Sequence, residues 1–520
     1  MANTNLISKR AVSVSALLVS GLVLLPVLYL FTVINETEKT LFQTIFNEYN
    51  YNVFKNSFFM ASASAFTAAI IGVPLAWMSV RWEFPLKKIF TVLIILPLAM
   101  PSYINAYSYK EVLGSFGILS KLLGFQKMPF EMDGFIGCWI SMTMVNFPFV
   151  VLLTRAALLK LDRNQEDAAK SLGKSNSQVF KDIILPRILP GITAGMLLVF
   201  LYAMSDYGTP AIMNYSTFTS AIFMEYESGG RIAAAALSLI LIFFTISILF
   251  FEHKIQTKGS LYSTGTGTPR PADAQKPGFE SIPLFLYSFA IIIFSLGIPV
   301  ITLIYWFYQG SSGTSAFSDI KIPMINSFLF GAGAAIVTVL LALPLTLRAS
   351  QGKKTAIISQ RLTFLGNAIP GVVIGFALVR FASSYHWLYQ TIPLVIIAYS
   401  IRFLPQAAGA LDTGFKQINP KTAEASNTLG VSETKTFFRV ILPQLKPAVL
   451  TGLAMVFITT VKELPITLIL SPPGIKTLPG NIWNYTEEAA YSKLATPGLL
   501  ILFLSGMSVY FILKQEKKNA

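Results

Sequence analysis

The amino-acid sequence predicts an all-α, polytopic membrane protein of twelve transmembrane helices arranged as two parallel six-helix repeats. Three observations predict it. The chain is 53% hydrophobic and 12% charged, with a mean hydropathy of +0.61, whereas about a quarter of the residues of soluble domains are charged. Its apolar residues gather into twelve runs near the length that crosses a bilayer core of about 30 Å. One polar stretch also occurs twice: Asp167-Ala168-Ala169-Lys170-Ser171-Leu172-Gly173 returns as Glu424-Ala425-Ser426-Asn427-Thr428-Leu429-Gly430. Leu185/Leu442, Pro186/Pro443, Pro190/Pro447 and Gly195/Gly452 continue the match at a constant shift of 257. A fixed register of polar loops in an apolar chain is the mark of duplication. Asn56-Ser57-Phe58 with Pro74 match Asn326-Ser327-Phe328 with Pro344 at a shift of 270, and Pro101 matches Pro370 at 269.

The elements follow in order. The first apolar run, 11–34, stands after Lys9-Arg10 and is longer than the apolar core of a signal peptide, with no small-residue cleavage site after Leu30. It is expected to be the first spanning helix. The remaining spans are expected at 57–80, 89–106, 135–154, 192–213, 232–251, 282–306, 327–347, 362–379, 388–401, 448–470 and 496–513, six in each half. Pro97 and Pro370 lie inside two of them, where membrane helices accept proline if neighbours satisfy the freed carbonyls.

Six spans per half give both repeats one orientation, and the basic residues set it. Lys9/Arg10, Arg81/Lys87/Lys88, the two repeated loops, Arg348/Lys353/Lys354/Arg361 and Lys514/Lys517/Lys518 fall on one side, which is expected to be cytoplasmic together with both termini. Lys39, Lys55 and Lys476 are isolated bases on the other side. The net charge of +15 is therefore read as membrane topology; nucleic acid would require the bases to cluster on one solvated domain. Cys138 is the only cysteine and His253 and His386 the only histidines, which excludes a disulfide framework and a cage of thiolates and imidazoles. No metal site is expected.

Residues 257–281 are rich in Gly, Ser, Thr and Pro without apolar periodicity. They read as a flexible cytoplasmic linker between a first repeat at 1–256 and a second at 282–520.

Each repeated loop opens with an acidic residue and small side chains, which let another surface approach. Gly173 and Gly430 permit a turn that residues with a Cβ enter at a cost. Ser175 with Gln178 has the spacing of a capping box, and Ser432 is placed to cap the equivalent helix, although Lys435 leaves its box incomplete. Val179-Phe180 and Phe437-Phe438 are expected to form an outward apolar knob, and the Leu-Pro steps end the element. The plain alternative is a pair of amphipathic surface helices, against which the duplication of the polar positions speaks. Gly173-Lys174-Ser175 imitates the end of a P-loop, but Ala168 stands where the motif needs its first glycine.

These two stretches resemble the Glu-Ala-Ala loop of binding-protein-dependent ATP-binding-cassette importer permeases, over nearly all of both halves. In that family the loop forms a coupling helix seated in a cleft of each ATPase subunit. The resemblance carries over Glu424, Ala425, Gly430, Leu442 and Pro443 in the second copy, and Asp167, Ala168, Ala169, Gly173, Leu185 and Pro186 in the first. Asp167 replaces the family's Glu and Ser426 its Ala. It implies a permease subunit, not an enzyme in itself, in the cell membrane. The implied partners are two copies of an ATPase subunit holding ATP and Mg on the cytoplasmic side, an extracytoplasmic solute-binding protein and membrane lipid. No cofactor is expected on this chain.

Asp206 and Glu463 match at the shift of 257 inside the fifth and eleventh spans, each followed by a proline, Pro210 or Pro465. An ionisable residue within a span is by default a functional candidate. Both are therefore candidates for the translocation path, with a structural role at a helix break as the alternative and Lys462 as a partner for Glu463. Gly371…Gly375 and Ala61 to Ala65 have the small-residue spacing of closely packed membrane helices. Tyr103, Tyr107 and Tyr109 read as an interfacial aromatic belt; oxygen ligands for a hard cation are the alternative.

The segments 461–468, 472–474, 205–209 and 217–219 most resemble the ferric-iron permeases of the family. Thiamine permeases share the fused architecture, and polyamine, sulfate and molybdate permeases share the loop. An ion-coupled secondary transporter would favour inverted repeats, and a membrane scaffold or enzyme would need no duplicated docking helix.

Overall fold

Proline spacing decides where the helices of this chain run and where they break, because each proline removes one backbone donor and crowds the carbonyl four residues earlier. The computed structural model describes residues 9–35, 47–128, 131–258, 275–310, 313–351, 354–363, 366 and 369–519. Regular structure among them is helical, with one isolated bridge between Trp82 and Gln275.

In the first half, α1 is Lys9–Asn35 and α2 is Glu48–Arg81. At 1.5 Å per residue the 34 residues of α2 exceed a bilayer core of about 30 Å. Next come α3 (Lys87–Ile95) and α4 (Ser102–Leu113). Then α5 is Gly134–Leu159, α6 is Arg163–Ser171, α7 is Leu185–Ser205, α8 is Phe218–Glu227 and α9 is Arg231–Lys258. In the second half, α10 is Ile282–Ile292, α11 is Ile298–Gln309, α12 is Gly313–Ser350 and α13 is Lys354–Thr363. They are followed by α14 (Gly371–Ser383), α15 (Ile392–Gln417), α16 (Pro420–Thr428), α17 (Leu442–Val461), α18 (Leu478–Glu487) and α19 (Tyr491–Asn519).

Eight helices among the described residues are long and apolar enough to cross a membrane. A ninth span is counted if the bent pair Lys87–Ala99 and Ser102–Leu122 is taken as one. Each of the twelve expected spans contains helix, but four depart from an unbroken crossing. The third is bent by 97°, because Pro97 lies in a 3-10 turn, Leu96–Ala99, and Pro101 follows an extended Met100. The ninth is taken up, among the described residues, mainly by the thirteen-residue α14, for which Pro370 is the N-cap in extended conformation, as Pro101 is for α4. The fifth ends at Ser205 and the eleventh at Val461, and each resumes as a short helix, Gly208–Ile212 or Pro465–Leu470. The linker, expected at 257–281, lies mostly outside the described residues; its end does not, and Gln275 exchanges backbone hydrogen bonds with Arg81 and Glu83 at 2.9 Å each.

The chain divides into two compact units. One comprises Asn47–Ala221, Phe243–Gln309 and Ser505–Ala520, the other Met1–Phe46, Ile222–Ile242 and Gly310–Leu504. The first is built on mutual packing of α2, α5 and α7, the second on the matching trio α12, α15 and α17. Within the second unit α1 packs on α12, α13 and α14; within the first, α11 packs on α4. Each unit therefore contains the leading span of the other half of the sequence.

The duplication holds at the level of single hydrogen bonds. Asn56 Nδ2 donates to the Ser216 carbonyl at 3.1 Å, and Asn326 Nδ2 to that of Lys476 at 2.8 Å. Ser57 Oγ accepts from Phe218 N at 2.9 Å, and Ser327 Oγ from Leu478 N at 2.8 Å. Phe58 meets Phe200 edge-on at 5.9 Å, and Phe328 meets Phe457 at 5.4 Å.

The tyrosines expected in an interfacial belt face inward instead: Tyr103, Tyr107 and Tyr109 are all buried. Their helix, α4, is short and follows the bend, so it lies against protein on several sides. Tyr109 Oη donates to the Phe294 carbonyl at 2.7 Å. That carbonyl is released by a π turn, Ile293–Gly297, in which Ile298 N reaches back to Ile293.

Candidate functional site

The two repeated loops share one construction. In the first, Asp162 caps α6 by accepting from Asn164 N at 3.1 Å. The helix closes at Gly173, whose φ of +85° lies in the left-handed region. Gly173 N donates to Lys170 O and Lys174 N to Ala169 O, the double bond of a Schellman turn. In the second, Gly430 has φ +77°, and Val431 N reaches Ser426 O at 3.3 Å. The expected capping box is present: Ser175 Oγ accepts from Gln178 N, and Gln178 Oε1 from Ser175 N. Ser175 is thus engaged in the turn, and Lys174 Nζ meets Asp182 at 2.7 Å.

Both loops then pass through a π turn, Phe180–Ile184 and Phe437–Ile441, immediately before Leu185-Pro186 and Leu442-Pro443. The proline that follows cannot donate, so the preceding amide widens its reach by one residue: Leu185 N bonds Phe180 O, and Leu442 N bonds Phe437 O. Leu185 and Leu442 are half-buried, and Pro186 and Pro443 exposed.

The apolar knob is not where the sequence placed it. Val179 and Phe437 are buried, and Phe180 packs edge-on against Trp77 at 5.6 Å. Of the four, only Phe438 is an exposed large side chain. The prominent apolar groups are Leu172 and Leu429, 84% and 83% exposed, one residue before each glycine. A leucine at a fixed place beside a repeated glycine was the available signal. Asp167, Ala168 and Ala425 are exposed, while Ala169 and Ser426 turn inward. Asp167 meets Arg163 one helical turn earlier at 3.3 Å. The side chain of Glu424 lies outside the described residues. Ser426 and Thr436 share a buried hydroxyl hydrogen bond of 2.8 Å, at positions that hold Ala169 and Val179 in the first copy.

The matched acids stand at the matched helix breaks. Asp206 Oδ1 accepts from Ser102 Oγ at 2.5 Å and Oδ2 from Thr209 N at 2.9 Å. Ser102 is the first residue of α4. Glu463 Oε1 lies 3.5 Å from Arg402 Nη1, with side-chain exposures of 8% and 17%. A Cβ on Gly371, the first residue of α14, would collide with both that Nη1 and that Oε1. Each acid therefore sits at the start of the helix that follows the matched proline, where the helix dipole favours negative charge. Arg402 joins Lys462, whose charge also acts on Glu463, as a partner for that acid; Val145 occupies the matched position of the first half. The missed signal was Arg402, one residue past the expected end of the tenth span at 401, which the longer helix α15 takes in.

The glycine pair expected to permit close packing does so. Besides the contacts at Gly371, a Cβ on Gly375 would lie 3.0 Å from Ile469. Ala61, Ser64 and Ala65 are buried. Among the described residues no group of three or more His, Cys, Asp and Glu side chains is placed to hold a metal ion.

Comparison with known proteins matches two stretches, residues 68–256 and 336–515, to the family described as "Binding-protein-dependent transport system inner membrane component". The chain is 33% identical over 499 residues to the "Fe(3+)-transport system permease protein FbpB 2" of Haemophilus influenzae, covering 94% of this chain and 96% of the relative. It is 24% identical over 493 residues to the "Ferric transport system permease protein FbpB" of Actinobacillus pleuropneumoniae, covering 89% and 71%. The "Probable sulfate transport system permease protein cysT" of Chlorokybus atmophyticus is 31% identical over 200 residues, 37% of this chain and 68% of the relative. Carrying the family's pattern once in each half, the chain belongs to the inner membrane components of binding-protein-dependent transport systems.

Proposed function

We propose that the chain is the permease subunit of an ATP-binding-cassette importer for ferric iron. In this reading a solute-binding protein delivers the ion on the outer side. Two copies of a separate ATPase subunit, holding ATP and Mg, engage the two repeated loops on the cytoplasmic side, where both termini also lie. Their closure and reopening switch the path between outward-open and inward-open. Support for the docking role comes from the duplicated loop, built twice to one plan with Leu172 and Leu429 presented beside Gly173 and Gly430. Asp167, Ala168, Leu185 and Pro186, with Glu424, Ala425, Leu442 and Pro443, complete the two surfaces, and Ala169 packs beneath the first.

Ferric iron is favoured because the similarity to Fe(3+) permeases runs the length of both proteins. Sulfate is the second reading, favoured by the similarity to sulfate permeases over 37% of the chain. Asp206 and Glu463 are assigned to the edge of the path. Since Ser102 and Arg402 already hold them, their role there is to fix where α4 and α14 begin, not to ligate the ion.

The test is uptake of radiolabelled Fe(III) into proteoliposomes holding this chain, its co-purified ATPase and the neighbouring binding protein, with labelled sulfate and thiamine in parallel. ATP-dependent iron uptake that requires the binding protein is expected. Uptake of another solute would replace the substrate, and uptake driven by an ion gradient without ATP would overturn the mechanism.

A further inference from the structure

The first loop is fastened to the second span by a charged clamp. Arg81 ends α2, and Glu166 lies on α6 beside Asp167. Arg81 Nη1 donates to Glu166 Oε2 at 3.1 Å and Nη2 to Oε1 at 2.5 Å. This is the two-pronged geometry that gives an arginine–carboxylate pair both strength and direction. The side chains are only 9% and 12% exposed, so solvent screens the pair weakly.

The guanidinium also stacks over Trp77, one turn earlier on α2, at 5.2 Å. Trp77 in turn meets Phe180 edge-on. Glu166 precedes the Gly173 turn and Phe180 follows it, so the end of α2 grips both limbs of the loop. Its backbone holds a third strand of chain, through the paired hydrogen bonds of Gln275 with Arg81 and Glu83.

The second half does not carry this pair at the aligned positions, although Arg348, one turn before the place of Arg81, is also buried. At the shifts that align the repeats, Gln351 stands for Arg81, Leu347 for Trp77 and Ala423 for Glu166. The brace seen there is internal to the loop, the Ser426–Thr436 hydrogen bond.

We infer that Arg81 and Glu166 are positioning residues that turn movement of the first loop into movement of α2. The first loop then pulls directly on a membrane helix through this pair, whose aligned positions in the second half hold Gln351 and Ala423. Buried ion pairs contribute little net stability for their cost of desolvation. A role in transmission accounts for keeping one where the duplicate carries Gln and Ala. The inference rests on the proposed docking of the loops to an ATPase.

The test uses the reconstituted complex and compares Arg81→Gln and Glu166→Ala, which install the residues of the second half. Both should retain the ATPase pair on purification yet lose about tenfold in uptake of Fe(III), a loss of the size that altered coupling produces. ATP hydrolysis should become insensitive to the loaded binding protein. The exchange Arg81→Glu with Glu166→Arg should recover part of the uptake, which shows that the pair, and not either side chain alone, carries the effect. Unchanged uptake and stimulation in both single variants would overturn the inference, as would a charge exchange no better than either single. The double variant Leu172→Asp with Leu429→Asp serves as the control for docking. If it releases the ATPase while the Arg81 and Glu166 variants behave as the parent, the clamp fails and docking stands. If the ATPase stays bound and stimulated in that double variant, docking itself fails.

Discussion

Backbone conformation singles out two residues that nothing in composition would. Gly229 and Ala489 occupy the same place after α8 and α18, and both have positive φ, +83° and +53°. A residue with a Cβ pays roughly 1–2 kcal/mol in this region. Ala489→Gly is therefore expected to stabilise the protein by about 1 kcal/mol, after allowing for the greater freedom of glycine in the unfolded chain. Gly229→Ala should destabilise it by a similar amount; melting of the purified protein in detergent reads both. The buried pair at the second span break makes a sharper case. Glu463→Gln leaves the Arg402 guanidinium without its carboxylate and should cost about 3–5 kcal/mol, whereas Asp206→Asn keeps a group that Ser102 can still bond and should cost about 1 kcal/mol. Equal losses at the two sites would contradict the different partners found for them.

Helices in this chain end and widen where prolines require it, and the loops inherit their shape from that rule. The π turn before Leu185-Pro186 and Leu442-Pro443 reappears before Ile298-Pro299, where it frees the carbonyl that Tyr109 bonds. Tyr109→Phe is expected to lower the melting stability by roughly 1 kcal/mol, the worth of one buried hydrogen bond. Replacing Leu172 and Leu429 together by Asp should abolish co-purification of the ATPase while leaving the melting temperature near that of the parent, since both side chains are exposed. Much of this was legible beforehand. Duplicated Asp167/Glu424, Gly173/Gly430 and the Leu-Pro steps located the loops, and the Ser175/Gln178 spacing located a cap. What the sequence could not show was which side of a short helix faces inward, because four residues around a π turn have no periodicity to read. Val179 was thus expected outside and lies inside, and the Arg81–Glu166 and Arg402–Glu463 pairs stayed hidden because their members are about 60 to 85 positions apart.

For the whole molecule, two matched trios of helices stand where a twofold repeat predicts them, but the leading span of each half is exchanged. Neither 1–256 nor 282–520 alone contains all the helices of one compact unit. Expressed separately, each half is expected to be degraded or to aggregate, and expressed together they should form a stable complex recoverable through a tag on either one. A single half that purifies as a stable, folded species would show that the exchanged helix is dispensable. The exchange also imposes an order on biosynthesis. The helix at Lys9–Asn35 leaves the ribosome well before its partners, which begin at Gly313. At about 5–20 residues per second it waits roughly 15–60 s in the bilayer for them. During that interval it must persist as a solitary helix in lipid, so selection on its sequence acts on insertion into the membrane before it acts on packing.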